Sequence, residues 1–228
     1  STFMVLRCFE QIRVDVCCMN LPVTILGSGP GYTYGSDGPT HHATQDMALM
    51  RVLPEMTILD PADAISTESC VNLAYTNSGP TYIRLEKGTV PRVYEFGHDF
   101  SQGYEILGTG SDLMIVATGI MVQRAVIIAE QLSENDLDVG VIDLYRVKPV
   151  DGESLGQALS NTRAVATLEE NSIVGGIGSL ISEIFADQRT SIPLKRIATP
   201  DQHTYQYGDR DWLHTLDGLD EPTVSQNL

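Results

Sequence analysis

Short apolar runs alternate with amphipathic stretches along the whole chain, and that alternation restricts it to one class of fold. In the first half, apolar runs at Val23–Leu26, Met56–Leu59 and Thr81–Leu85 read as strands. They enclose a helix expected from His41 and another from Pro61 to about Tyr75. Strand–helix–strand at these spacings means parallel βαβ units, because parallel neighbours need a crossover of about a dozen residues or more. The second half repeats the grammar. Strands are expected at Leu113–Ala117, Val139–Leu144, Ala164–Leu168 and Leu194–Ile197, with helices at Met121–Leu132, Gly152–Ser160, Gly178–Ala186 and Arg210–Leu216. The fold expected is α/β: two open, mainly parallel sheets flanked by helices. The expected division is residues 1–88, an ordered apolar linker at 89–110, and residues 111–228. Thr2–Met19 has a mostly helical rhythm and opens as a helix already in progress, so the first domain reads as incomplete on its N-terminal side. Val23–Leu26 reads as buried, and a sheet of about three strands would need its edge covered.

Charge narrows the partners. Fourteen Lys and Arg against thirty Asp and Glu leave −16, which argues against nucleic acid or an anionic membrane. An anionic substrate would need a locally positive pocket. Cys8, Cys17, Cys18 and Cys70 lack CxxC spacing and fall in segments that read as buried helix, so reduced core thiols are expected and a zinc site is not. No run approaches membrane-spanning length and no signal-peptide pattern is present, which makes the default location cytoplasmic.

The stretch Gly35-Ser36-Asp37-Gly38-Pro39-Thr40-His41-His42 concentrates the chemistry. Gly35 and Gly38 permit unusual backbone angles, Pro39 stiffens the exit, and Thr40 is placed to cap the helix expected from His41. Asp37, His41 and His42 would then form a proton-transfer and hydroxyl-binding corner at a helix start. An Asx-type turn with surface histidines is the plainer reading of the same residues. Glu169-Glu170 reads as a structural pair at a strand end. Gly175-Gly176-Ile177-Gly178 reads as tight helix packing ahead of a phosphate cradle, and His203 and His214 as surface residues.

Several motifs, in order, carry a resemblance. Glu10–Val16, Gly35–His42 running into Met47–Arg51, and Pro61-Ala62-Asp63 resemble the pyrimidine-binding domain of the transketolase family. Asp112–Gly119, Val141–Leu144, Lys148-Pro149, Glu169-Glu170 and Gly175–Gly178 resemble that family's C-terminal domain. His41-His42, in place of the commoner histidine–glutamine, is similar to the C-terminal subunit of split, two-chain transketolases. The resemblance implies a transferase that uses thiamine diphosphate and Mg2+ or Ca2+ to move a two-carbon ketol unit between sugar phosphates. Phe3, Leu6 and Phe9 would line the aminopyrimidine pocket, with less ring stacking because Leu6 and Phe9 replace the more usual aromatic and tyrosine. Asp37 and His41 would hold substrate hydroxyls near the reactive carbon, and Arg84 would grip the substrate phosphate.

Departures from the family pattern shape what else is expected. Gly29 stands where the family has a substrate-contacting histidine. The glutamate that protonates the aminopyrimidine, and the Gly-Asp-Gly domain that binds diphosphate and metal, have no counterpart here. The resemblance therefore implies an N-terminal transketolase subunit as partner, a heterotetramer built by homodimerisation, and no activity for the chain alone; no metal ligand is assigned to this chain. The chain also stops soon after Gly218-Leu219-Asp220, where the family pattern implies another helix, so that helix is expected to be missing. Two other readings stay open: another thiamine diphosphate enzyme, such as a deoxyxylulose-phosphate synthase or a 2-oxoacid dehydrogenase beta chain, or a non-catalytic scaffold.

Overall fold

The computed structural model describes all 228 residues. The chain opens helically: α1 (Phe9–Gln11) is one α turn between π-type stretches at Phe3–Arg7 and Ile12–Cys17. Val5, Ile12 and Cys17 turn inward, whereas Phe3, Met4, Leu6 and Val14 stay exposed.

Three strands of the first sheet follow the expected crossovers. β1 (Thr24–Ser28) and β2 (Thr57–Leu59) both run parallel to β3 (Thr81–Leu85), with α2 (Asp46–Arg51) and α3 (Ala64–Thr76) between them. β1 is not the buried strand its composition suggests. It lies at the sheet edge, with Ile25 buried and Leu26 exposed. Asp63 caps α3 by accepting from Ser66 N at 2.8 Å, and Ser66 Oγ accepts from Asp63 N at 2.9 Å, a reciprocal capping box.

The expected linker is ordered, and its end belongs to the second sheet. The other Asp63 oxygen accepts from Val93 N and Tyr94 N, and Tyr94 Oη donates to Asp143 at 2.6 Å. β4 (Glu105–Gly108) then pairs antiparallel with β6 (Val139–Asp143). The remaining strands are parallel: β5 (Leu113–Ala117), β8 (Ala164–Ser172) and β9 (Leu194–Thr199), in the order β4-β6-β5-β8-β9. β5 and β6 are buried at every position, as strands covered on both faces must be. α4 (Met121–Ser133), α5 (Gly152–Leu159) and α6 (Ile177–Asp187) flank this sheet. α7 (Arg210–Asp217) and α8 (Glu221–Asn227) follow; α8 corrects the expectation that the helix after Gly218-Leu219-Asp220 is missing.

The two units share structure. β7 (Arg146–Lys148), from the second half, adds antiparallel to β2 and covers that edge of the first sheet. One continuous core joins Met47, Met50 and Ile58 of the first unit to Leu144, Val147, Leu155, Ile177 and Ile181 of the second. Each fully buried side chain of that size contributes about 1.5–3 kcal/mol of hydrophobic stabilisation, so the domains hold each other in place. No helix is long and apolar enough to cross a membrane.

Candidate functional site

The Asp37–His41 corner is a folded-back loop, and the helix starts later than expected. Gly35–Asp37 form one 3-10 turn, and Gly38, at φ +77°, reverses the chain. Its carbonyl accepts from both His41 N (2.9 Å) and His42 N (3.2 Å). Ala43 then pairs with Gly31 as an antiparallel bridge. Tied back in this way, residues 41–45 cannot be helical, and α2 begins at Asp46. Thr40 is therefore no N-cap; its Oγ1 lies 3.0 Å from His41 Nδ1. That contact occupies one ring nitrogen and leaves Nε2 for another partner.

Aromatic groups gather around His41. The Phe3 ring meets it edge-on at 5.0 Å, Tyr34 lies 6.4 Å away, and Thr2 Oγ1 donates to the His41 carbonyl at 2.9 Å. The Lys87 ammonium sits 4.7 Å over the Tyr34 ring, and the Arg7 guanidinium 4.6 Å over Phe3. Of the expected ring-binding residues, Phe3 is 44% and Leu6 47% exposed, while Phe9 is half-buried against the core. Phe3 and His41 meet; Asp37 is exposed on the same turn and makes no hydrogen bond to His41. A Cβ at Gly29 (φ +74°) would fall 2.2 Å from the Tyr34 ring, so Tyr34 fills the space a histidine at 29 would need.

Arg84 does not stand where a substrate phosphate would reach it. Its side chain is buried, at 3% exposure. Nε donates to Asp46 (3.0 Å), Nη1 to Asp60 (3.4 Å), and Nη2 to the carbonyls of Ala43 (3.2 Å) and Glu170 (3.0 Å). The void beside it measures about 10 Å³, room for one water. The physical reason is neutralisation: two buried carboxylates need a cation, and the guanidinium fork satisfies both while bridging the domains. Burial pushes the Asp60 carboxyl up to about 6, even against the pull of Arg84. Sequence reading missed Asp46 and Asp60 because a helix-start acid and a strand-end acid are ordinary surface features.

The second domain brings a hub of its own. Glu170 accepts from Tyr32 N (3.1 Å), from Arg210 Nε (2.7 Å) and Nη2 (2.5 Å), and meets His214 Nε2 at 2.6 Å. Burial disfavours its charge, but Arg210 and His214 outweigh burial and hold it far below the usual carboxylate range. His214 is thus a buried hub member, 1% exposed, and not a surface residue; only tertiary contact reveals that. Arg210 also donates to Glu86 (2.6 Å), tying α7 to the end of β3. Glu169 and the glycine run are structural: its carboxylate accepts from Ile177 N and Gly178 N, both 2.8 Å, filling the α6 N-terminus. A Cβ at Gly176 would fall 1.9 Å from that carboxylate. Burial raises the Glu169 carboxyl to about 7. The cysteines are all free, and Cys18 is exposed, contrary to the expectation of four core thiols.

A half-open aromatic face beside a polar turn suits a flat heteroaromatic ring with hydrogen-bonding edges. The exposed Phe3 and Leu6 would suit the aminopyrimidine in that way, whereas Phe9 packs against the core.

Comparison with known proteins gives concordant results. The transketolase pyrimidine-binding domain model matches residues 1–92, and the transketolase C-terminal domain model matches residues 103–224. One of the subunits of an apulose-4-phosphate transketolase, from Actinobacillus succinogenes, is 31% identical over 98% of this chain and 72% of its own length. A 1-deoxy-D-xylulose-5-phosphate synthase of Geobacter sulfurreducens is 36% identical over 99% of the chain but only 36% of its own length. Among solved structures, a split-gene transketolase described as an inactive beta4 tetramer superposes with a TM-score of 0.90. It is 35% identical, and the match covers 99% of this chain and 72% of that one.

Proposed function

Because this chain belongs to the transketolase family, we propose that it is the C-terminal subunit of a split, thiamine diphosphate-dependent transketolase. With a partner chain that carries the diphosphate and metal site, it moves a two-carbon ketol unit between sugar phosphates. The observation that carries this reading is the meeting of the exposed Phe3 ring with His41 at 5.0 Å, which joins the ring-binding face to the hydroxyl-binding turn.

Phe3, Leu6 and Phe9 line the aminopyrimidine side. Thiamine diphosphate, when bound, supplies the electron sink for carbanion chemistry, and Mg2+ or Ca2+ belongs with the partner. His41, whose Nδ1 is engaged by Thr40, offers Nε2 to a substrate hydroxyl, and Asp37 holds a second one from the same turn. With Arg84 committed to Asp46 and Asp60, the accessible cations beside this corner are Arg7 over Phe3 and Lys87 over Tyr34, and we assign the substrate phosphate to Lys87. The apolar face of Phe3, Met4, Leu6 and Val14 is where chains would pair, in a heterotetramer with the N-terminal subunit, in the cytoplasm.

The chain assembled with its partner subunit should transfer ketol units between sugar phosphates; the chain alone should not. His41→Ala should lower turnover of the assembled enzyme by about 10²-fold or more. Turnover unchanged in that variant would point to a scaffold subunit. The resemblance to 1-deoxy-D-xylulose-5-phosphate synthase supports a second reading, and activity with pyruvate but not with a ketose donor would select it.

A further inference from the structure

The two glycines that bracket Asp37 are shaped from outside by the second domain. A Cβ on Gly35 would lie 2.6 Å from the Gly208 carbonyl oxygen and 2.7 Å from Cδ1 of Leu213. A Cβ on Gly38 would lie 2.5 Å from Cε1 of Tyr207. Gly35 has no positive φ, so close approach alone requires glycine there. The segment that presses on the turn is itself anchored. Leu213 is fully buried, and the neighbouring Arg210 is held by Glu170 and Glu86 at 2.5–2.7 Å.

The exit of the turn is tied back through the Gly38 carbonyl, and His42 Nε2 lies 3.3 Å from the Gly35 carbonyl, but within residues 34–38 two backbone bonds close it. Gly38 N to Gly35 O is 3.4 Å, near the limit of a hydrogen bond, and Asp37 N to Tyr34 O is 3.0 Å. The Asp37 side chain makes no hydrogen bond that would hold it. Tyr207, meanwhile, is 66% exposed, so its ring is not filling the core. What the ring does touch is Gly38.

We propose that Tyr207 is a positioning residue: its ring backs the Gly35–Gly38 turn and holds Asp37 and His41 at the angle the reaction needs. The C-terminal domain thereby acts on the chemistry without touching substrate. This rests on the reading of Asp37 and His41 given above.

Tyr207→Ala and Tyr207→Phe, each assembled with the partner subunit, test it. Removing the ring should lower kcat about tenfold through misplacement of the turn, with the melting temperature unchanged because the ring is mostly in solvent. Phenylalanine keeps the ring and should restore kcat to within about twofold, since the hydroxyl plays no part in the contact. Independently of activity, amide hydrogen exchange at Gly38 and His41 should quicken about tenfold in Tyr207→Ala while β5 amides stay as they are. Unchanged exchange in the turn overturns the proposal, as does an unchanged kcat in an enzyme that His41→Ala cripples. If His41→Ala is itself silent, the functional reading fails, and the exchange measurement still decides whether Tyr207 holds the turn.

Discussion

Replacing Arg84 with methionine separates a structural arginine from a phosphate-binding one. The guanidinium is the ion-pair partner of both Asp46 and Asp60, which are buried at 1–2% side-chain exposure. Removing one side of a buried ion pair costs about 3–5 kcal/mol, because the remaining charge is stranded. Two carbonyls, of Ala43 and Glu170, lose their Nη2 donor as well. Ala43 O keeps the Gly31 amide at 3.0 Å, which limits that loss. These losses overlap, so we expect a total near 4 kcal/mol, against a whole-protein stability of about 5–15 kcal/mol. Urea unfolding should show the midpoint falling with the slope unchanged. The deficit should also depend on pH. Asp60 already sits near 6 in the fold against 3.8 unfolded, and losing Arg84 raises it further. A carboxyl raised in the folded state costs stability as pH climbs through that window, so the gap to wild type should narrow on acidification from pH 7.5 to 5. Arg84→Lys, with charge but no fork, should lose less. A deficit below about 1 kcal/mol, together with a raised KM for phosphorylated substrates, would refute this reasoning and restore Arg84 as the phosphate grip.

Glu169 offers a second pH test. Its carboxyl is raised to about 7 from 4.5, so wild-type stability should fall as pH rises from 4.5 to 7, by at most about 3.5 kcal/mol at about 1.4 per unit. In Glu169→Gln that slope should vanish over a constant offset from one lost backbone hydrogen bond; parallel curves in chemical denaturation would count against it. Thiol labelling of the native chain should modify exposed Cys18 first and half-buried Cys8 more slowly. Cys17 and Cys70, whose thiols burial pushes up, should react only on unfolding. Four equal rates would show that the thiols are not sorted by burial.

Much of the architecture was legible in the residues because hydrophobic periodicity is a local property. β3, β5 and α4 lie where runs and spacing put them, whereas α3 begins at Ala64, behind its cap Asp63, and not at Pro61. The Asp37–His41 turn was legible as a turn for the same reason: acid, glycine and histidine sit within a few residues of one another. What sequence reading missed is long-range. His41 did not start a helix, because Ala43 pairs with Gly31 across the loop. β4 emerged from an apparent linker, because an antiparallel partner, β6, lay more than thirty residues downstream. Arg84 read as a phosphate grip, Glu170 as a strand-end structural pair and His214 as a surface residue, and burial with mutual contact makes all three internal. Local backbone preference and period act through neighbours in sequence, so they can be read there. Which charge meets which, and why Gly35 must lack a side chain facing Gly208, is decided only when segments some 170 residues apart are packed to van der Waals contact.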